Sequence, residues 1–446
     1  MTNEKEIYDI VVLGSGAGGI FSAARLAHAG YRTLVLEKSD RLGGRFSSID
    51  VEGYRISTGA IAIECGGSAV EDTFNEVNAA FHLKQPTPGI VFKIGAFDIP
   101  SGNRFMGQIL RKVSKNTDKL IRNFYNAKGG DLNGNSGMSV KEWVNRQTKN
   151  KTIHGVFQGL SASIFCANAD EIPVNVFFQF FRETGGYKKF GFAPNGNIKL
   201  VEALAEVVEQ RGGRVLKGAE ATRISVENGK AKAVEVKQRR DNKSEKKRFS
   251  AKIVVSDVGP LKTAELIGSH ILGEDYTASV RKALRPTSMF SIAVTAEKAL
   301  SSYPGFYTFS DGGRICTVAN MTAKCPELAP EGRNLYEVYA VPRPSIGVFD
   351  REKEESLIMQ EFYKKLRCKN DEVTIINTCW HAGEDSPAMR SLPGFDLPPD
   401  TPVKNVFNVG DAIKPAGWGG TTACAVMAKL LTQRIIDEFS LASITF

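Results

Sequence analysis

A chain of 446 residues with 42% apolar and 24% charged side chains is long for one hydrophobic core and ordinary for a globular protein, so disorder is excluded and two interlocked domains are expected. Seven cysteines, at 65, 166, 316, 325, 368, 379 and 424, include no CxxC pair, which argues against a disulfide framework or a zinc site and for reduced thiols in a cytoplasmic protein. The formal charge of +9 raises nucleic-acid binding, but no zinc finger, RNA-recognition signature or other such module accompanies it.

The first nine residues, MTNEKEIYD, lack an apolar h-region, and no stretch has the length of a membrane span, so a soluble protein is expected. Residues 8–13 form an apolar run fit for a buried parallel strand. It passes directly into Gly14-Ser-Gly16-Ala17-Gly18-Gly19, then into an alanine-rich helix over 20–29 that stops at Gly30, then into a second apolar strand over 33–36 that ends on Glu37. Glycines also mark ordinary turns, but strand, glycine turn, helix, strand and acid in this order predict dinucleotide binding. Gly14 makes the tight turn, Gly16 lets the backbone approach a pyrophosphate, Gly19 lets the helix lie near the strand, and the helix N-terminus directs N–H groups at phosphate. Glu37 stands where a carboxylate can accept both hydroxyls of an adenosine ribose and repel a 2′-phosphate.

Lys38 leads into Gly43-Gly44-Arg45. With these residues the chain resembles the phytoene desaturase-like and flavin amine oxidase superfamily, whose FAD proteins carry the glycine fingerprint, an acid ending the second strand and a GGR segment close behind. The resemblance implies that Arg45 and the glycine backbone support the FAD diphosphate. Residues 47–65 read as two short strands around Gly53, with a bend at Ser57-Thr58-Gly59-Ala60; where the family often has an acid and a glycine beside the isoalloxazine, only Gly59 carries over. A helix is expected over 70–83 and a hairpin over 90–99.

Residues 104–180 read as mostly helical, with a Gly/Asn-rich loop at 128–137 and a cap at Ser139. Phe177, Phe178, Phe180, Phe181, Tyr187, Phe190 and Phe192 are either ordinary core or the lining of an apolar pocket. Residues 193–236, with a helix over 201–210 closed by Gly212-Gly213, strands at 214–216 and 221–226 and a turn at 227–229, resemble the family pattern. Asn197 stands where a second glycine is common, and position implies backbone contact of Ala221 with adenine. The run 237–248 holds seven basic and two acidic residues, +5 of the total, between two strands; it reads as a solvated hairpin tip, or else as a contact for an anionic membrane surface or acidic partner.

A strand is expected to end at Asp257, a helix to cover 264–271, and residues 280–395 to alternate strands with a helix near 354–367. His381, just beyond a strand at 373–378, is either a hydrogen-bonded structural histidine or a base. Near the C-terminus a strand ends in Gly410-Asp411, followed by a glycine-rich loop with Pro415, Trp418, Gly419, Gly420, Thr421 and Thr422, and an apolar helix over 423–438. This is similar to the family's closing FAD motif. There the aspartate meets the ribityl chain or the diphosphate, and the helix N-terminus faces the N1 and C2 carbonyl edge of the flavin, where reduction leaves negative charge.

The expected fold is α/β: a Rossmann-like FAD-binding domain with a parallel sheet, discontinuous in sequence (1–75, 193–275 and 396–446), and an inserted α+β substrate domain (76–192 and 276–395). The resemblance implies noncovalent FAD, since Cys424 lies within the helix and not in the loop where a covalent link would form. It further implies dehydrogenation of a C–C bond in a hydrophobic small molecule, a polyene or an alicyclic ketone, by hydride transfer to flavin N5. The alternatives are a flavin amine oxidase producing hydrogen peroxide, a redox-neutral carotenoid-type isomerase, and a flavin-bearing binding protein. Tyr187, His381 and Trp418 are the candidates on the substrate side. No second glycine fingerprint for NAD(P)H is present, so oxygen or a quinone is the expected electron acceptor; no metal and no nucleic acid are expected, and peripheral membrane contact remains open.

Overall fold

In the computed structural model, residues 7–440 are described, apart from 96, 101–110, 112–117, 132–136, 185–188, 241–242, 302 and 370. Two seven-stranded sheets organise the chain. The first is centred on β1 (Ile7–Leu13), which continues through the helix α1 (Ala17–His28) into β2 (Thr33–Leu36) and pairs with it in parallel. Every side chain of β2 is buried, as expected of a strand covered on both faces. On the other side of β1 lies the strand Lys243–Ser256, also parallel, with Val254, Val255 and Ser256 pairing in turn to the strand Val406–Asn408.

That long strand changes environment along its length. Its apolar end, Ile253 to Val255, is fully buried in the parallel sheet. Its charged beginning instead pairs antiparallel with the strand Lys230–Arg240. Its described residues, 237–240 and 243–248, are therefore strand and not tip: Lys237 faces Lys246 and Val236 faces Lys247 in an antiparallel ribbon whose third strand, Ala219–Glu227, sets Glu220 against Lys237 and Ala221 against Val236. Like charges in directly opposed positions oppose pairing, so the ribbon depends on its apolar root, Val234, Val236 and Phe249, all buried.

The second sheet runs in the order Thr374–His381, Met289–Ala296, Asn334–Ala340, Ile315–Asn320, Phe306–Phe309, Ile90–Ile94, Phe97–Pro100. It is antiparallel except where Phe306–Phe309 meets Ile90–Ile94. Trp380 and His381 belong to the first of these strands and do not follow it, because the ladder to Met289 and Phe290 continues to their positions. The helix Lys151–Phe165 lies so close to the sheet that a Cβ on Gly155 would fall 1.7 Å from the Ser310 carbonyl oxygen.

Ser139 caps the helix Val140–Gln147 in a reciprocal box with Glu142, as the sequence predicts. The helix expected over 70–83 covers only Ala69–Val77, since Asn78 adopts a left-handed conformation (φ 58°) and ends it. The helix expected over 264–271 is two shorter ones, Pro260–Ile267 and Ser269–Leu272, separated by Gly268 at φ 95°.

Gly155→Ala tests the close approach of helix and sheet. The substitution raises helix propensity by roughly 1 kcal/mol, yet it forces a clash with backbone, which costs about 1–3 kcal/mol. A lower denaturation midpoint is expected; an unchanged or raised midpoint would show that the helix does not pack as described.

Candidate functional site

The end of β1 turns at Gly14, with φ 86° and its N–H donated to the Leu36 carbonyl. Gly16 then caps α1 without any side-chain hydrogen bond, leaving the first amides of the helix for an anion. The spacing of the glycines has a second cause that the sequence does not announce. A Cβ on Gly18 would stand 2.6 Å from the Gly410 nitrogen and 2.8 Å from an oxygen of Asp257, and one on Gly16 would stand 2.3 Å from the other Asp257 oxygen. The turn is thus packed against both the strand end at 257 and the C-terminal segment. Gly19 meets the expectation, since its Cβ would fall 2.2 Å from the Gly14 carbonyl.

Glu37 ends β2 and is 7% exposed. Its carboxylate turns to the protein: one oxygen accepts from the Ser15 N–H at 3.0 Å and hydroxyl at 2.6 Å, the other from the Ser39 N–H and hydroxyl at 3.0 and 2.9 Å. Ser15 Oγ in turn accepts from the Gly43 N–H. Glu37 therefore ties the first glycine turn to the Gly43-Gly44-Arg45 segment, while its neighbours Leu36 and Lys38 face the cavity.

Arg45 and Asp411, from opposite ends of the chain, form an ion pair at 2.9 Å. Arg45 also donates to the Ala388 carbonyl, and Asp411 accepts from the Arg390 N–H. Burial alone would raise the Asp411 carboxyl, but the Arg45 guanidinium, with Arg390 and Lys414, holds it well below the ordinary carboxylate range. Asp257 faces the same centre with the opposite outcome: burial pushes its carboxyl up to about 7, against the opposing hydrogen bond from Gly19. The sequence marks Asp257 only as the end of a core strand. Its position at the carboxyl end of a parallel strand was the available signal.

At the other side of this centre the helix Gly420–Glu438 begins, with Gly419 as a cap lacking a side-chain hydrogen bond. Its first turn contains Gly420, Thr421 and Thr422, so the helix starts three residues earlier than the sequence suggests. The Thr422 hydroxyl donates to Glu64, at the end of the two-residue strand Ile63–Glu64. Burial raises the Glu64 carboxyl to about 7, and its second oxygen is buried with no hydrogen-bond partner. No motif marks Glu64 in the sequence.

A cavity of about 1080 Å³ connects these features. One half is walled by Gly14, Gly16, Ala17, Gly18, Lys38, Gly44, Arg45, Ala221, Asp257 and Asp411; the middle by Gly59, Glu64, His381, Gly420, Thr421 and Thr422; the other half by Ile90, Phe92, Phe124, Leu160, Phe181, Phe190 and Phe306. Gly19, Glu37, Gly43, Gly410 and Gly419 stand behind the wall. Phe177, Phe178, Phe180 and Phe192 are at most 1% exposed and belong to the core, so among the described residues of the aromatic stretch only Phe181 and Phe190 reach the cavity. Trp418 is half-buried and does not line the cavity, because the loop folds back through its N–H to the Pro415 carbonyl. Tyr187 lies outside the described residues.

His381 is 5% exposed, with Nε2 3.5 Å from the Ser291 hydroxyl and Nδ1 without a partner. Burial and then the Arg45 charge lower its pKa to about 4, so the ring is neutral at pH 7 and a weak base there. Tyr339 donates its hydroxyl to the Gly59 carbonyl, and burial holds it well above the usual phenol range. Among the described residues no cluster of histidine, cysteine or carboxylate side chains could hold a metal ion, and no helix is long and apolar enough to cross a membrane.

A cavity walled by bare glycine backbone, the N-termini of two helices and a group of apolar and aromatic side chains fits a dinucleotide carrying an aromatic ring system. The sequence model of the family described as flavin containing amine oxidoreductase matches residues 17–435. The chain belongs to this family. It is accordingly a flavin-dependent oxidoreductase. It is 21% identical to a 15-cis-phytoene desaturase of Capsicum annuum, over 97% of this chain and 78% of that one. An oxidoreductase from Methanosarcina mazei superposes with a TM-score of 0.81 at 24% identity, covering 95% of this chain and 99% of the other. A putrescine oxidase bound to putrescine superposes with a TM-score of 0.71 at 14% identity, covering 97% and 99%. These two likenesses establish the α/β, Rossmann-type fold.

The raised Asp257 carboxyl gives the unliganded protein a specific pH dependence. An unfolded aspartate titrates near 3.9, so between about pH 4 and 7 the unfolded chain releases a proton that the folded one keeps, and stability falls. Glu64 and Glu337 are also pushed to about 7, whereas His381, lowered, contributes in the opposite sense. Asp257→Asn should therefore shrink, without abolishing, the alkaline loss relative to wild type when urea midpoints are compared at pH 5 and pH 8. An identical difference in both proteins would place Asp257 outside the buried centre.

Proposed function

We propose that the protein is an FAD-dependent dehydrogenase that introduces a C–C double bond into a hydrophobic small molecule, a polyene or an alicyclic ketone. The observation that carries this reading is the continuity of the cavity, from the glycine turn and the Arg45–Asp411 pair to a wall of Phe92, Phe124, Phe181, Phe190 and Phe306. FAD, held without a covalent bond, would supply hydride acceptance at N5.

The chain's own residues then have defined tasks. The amides around Gly14, Gly16, Ala17 and Gly18, with Gly43, Gly44 and Arg45, would hold the diphosphate. Glu37 and Lys38 would flank the adenosine ribose, Glu37 after giving up one of its serine partners, and Ala221 would border adenine. Asp411, fixed by Arg45, would accept from the ribityl hydroxyls, and the helix start at Gly419, Gly420, Thr421 and Thr422 would face developing negative charge at the flavin edge. Gly59, with its carbonyl taken by Tyr339, would border the ring system. The aromatic wall would exclude water and orient the substrate. The absence of a second glycine fingerprint supports oxygen or a quinone as acceptor.

Amine oxidation is the second reading, favoured by the carboxyl of Glu64 in a wall where an ammonium group could be held, and by the fold shared with putrescine oxidase. Anaerobic absorbance titration separates the two. Bleaching by a polyene or by a cyclohexanone carrying a carboxylate is expected, and bleaching by a primary amine alone would establish the second reading. Denaturation without proteolysis should release FAD into solution, and Arg45→Ala and Asp411→Ala should each weaken its retention by at least about tenfold, since the first removes a cation from beside the diphosphate and the second removes the acceptor for the ribityl hydroxyls. Both variants purifying fully yellow would refute the cofactor assignments.

A further inference from the structure

We infer that Glu64 is the proton-carrying residue of this site, a carboxyl that takes up one proton when the flavin is reduced and surrenders it when the flavin is reoxidised. The inference rests on the FAD reading above and goes beyond it, since the glycine turns, Arg45 and Asp411 move no protons.

Three structural facts place Glu64 in this role. It lines the cavity at the junction of the two halves, beside Thr421 and Thr422 on one side and Phe190 on the other. Its backbone is fixed by pairing with Phe190, as that of Ile63 is with Gly191, and the Thr422 hydroxyl in the first turn of the C-terminal helix fixes one carboxyl oxygen. The other oxygen is buried and has no partner; a buried polar atom left unpaired is costly and calls for an explanation. A carboxyl with a free oxygen and an acidity near neutrality can both accept and donate a proton at working pH. The charged or titratable groups on the elements packed around it are Lys189 next to its strand partner, Cys65 beside it, Glu71 on the helix Ala69–Val77 and Cys424 on the C-terminal helix; none of them outweighs burial in setting its acidity.

The balance is simple. Dehydrogenation of a C–C bond removes two electrons and one proton as hydride from one carbon and a second proton from its neighbour; the Glu64 carboxylate receives that second proton. Oxygen or a quinone then withdraws two electrons and two protons, one of them from Glu64. With or without substrate, negative charge on a flavin reduced in this cavity would raise the proton affinity of the Glu64 carboxylate, which would couple reduction to protonation.

The test needs no substrate. The two-electron midpoint potential of the FAD-loaded protein is measured against a reference dye from pH 6 to 9, in wild type, Glu64→Gln and Thr422→Val. One coupled proton makes the reduction equilibrium tenfold more pH-sensitive per unit, about 30 mV for a two-electron couple. Wild type should show this extra slope above about pH 7; Glu64→Gln should lose it while keeping its flavin. Thr422→Val, which removes a hydrogen bond that favours the carboxylate, should shift the steep region to higher pH. Identical slopes in all three proteins would overturn the inference while leaving the FAD reading intact. Failure of wild type to take up FAD would overturn that reading and the inference with it.

Discussion

Arg45 and Asp411 meet on the cavity wall, both partly withdrawn from water, and much of the arrangement around the cavity follows from that contact. Desolvating two charges costs several kcal/mol each, and their attraction does little more than offset this. The pair is better understood as a registration device than as a source of stability. Arg45 reaches the Ala388 carbonyl while Asp411 receives the Arg390 N–H, so four stretches of chain are locked at one point: the GGR segment, the connection at 387–390 leaving the second sheet, the end of the strand Val406–Asn408 and the loop before the last helix. Moving any one of them would strand a charge in a low-dielectric setting.

The glycine turn is subject to the same centre from the other side. Asp257 approaches Gly16 and Gly18 so closely that no side chain fits there, and Asp411 lies close enough to Asp257 to raise its proton affinity. Two carboxyl groups near a phosphate-binding turn would oppose an anion if both were charged. The structure resolves the conflict unequally: Asp411 stays ionised because arginines face it, and Asp257 is poised to stay neutral because burial dominates. A neutral carboxyl can donate to an anion, whereas a carboxylate repels it.

What the sequence discloses are features set by local physics. A strand, a glycine turn and a helix occupy consecutive residues, so the first βαβ unit, the cap at Ser139 and the last strand–helix step are legible with small errors at their ends. Features set by distant contacts are not. Phe177 and Phe181 lie four residues apart on one face of the helix Val174–Thr184 and touch at 5.0 Å between ring centres, yet one is core and the other reaches the cavity, a difference of depth that composition cannot show. The basic run looked like a loop because charge suggests solvent, but strands can be solvated on both faces when an apolar root anchors the pairing. Glu64 acquires its chemistry from burial by segments hundreds of residues away, so no spacing could reveal it.

The apolar half of the cavity also contains hydroxyls, and their partners decide what it offers to an occupant. Thr317 donates to Ser163 at 2.9 Å, Ser163 is placed to donate to the Cys316 carbonyl at 3.3 Å, and Tyr339 donates to the Gly59 carbonyl. These donors are engaged within the protein, so a substrate group would have to displace an internal hydrogen bond to use them. A site built to read a polar substrate would leave buried donors or acceptors waiting for it, because such groups penalise any ligand that cannot pair with them. In the wall described above, the atoms left waiting are one oxygen of Glu64 and Nδ1 of His381, both in the middle of the cavity where the two halves join. Recognition in the far half then rests mainly on shape and apolar contact, with Lys128 and Lys189 the charged groups on its wall, while the unpaired buried atoms are gathered at the junction.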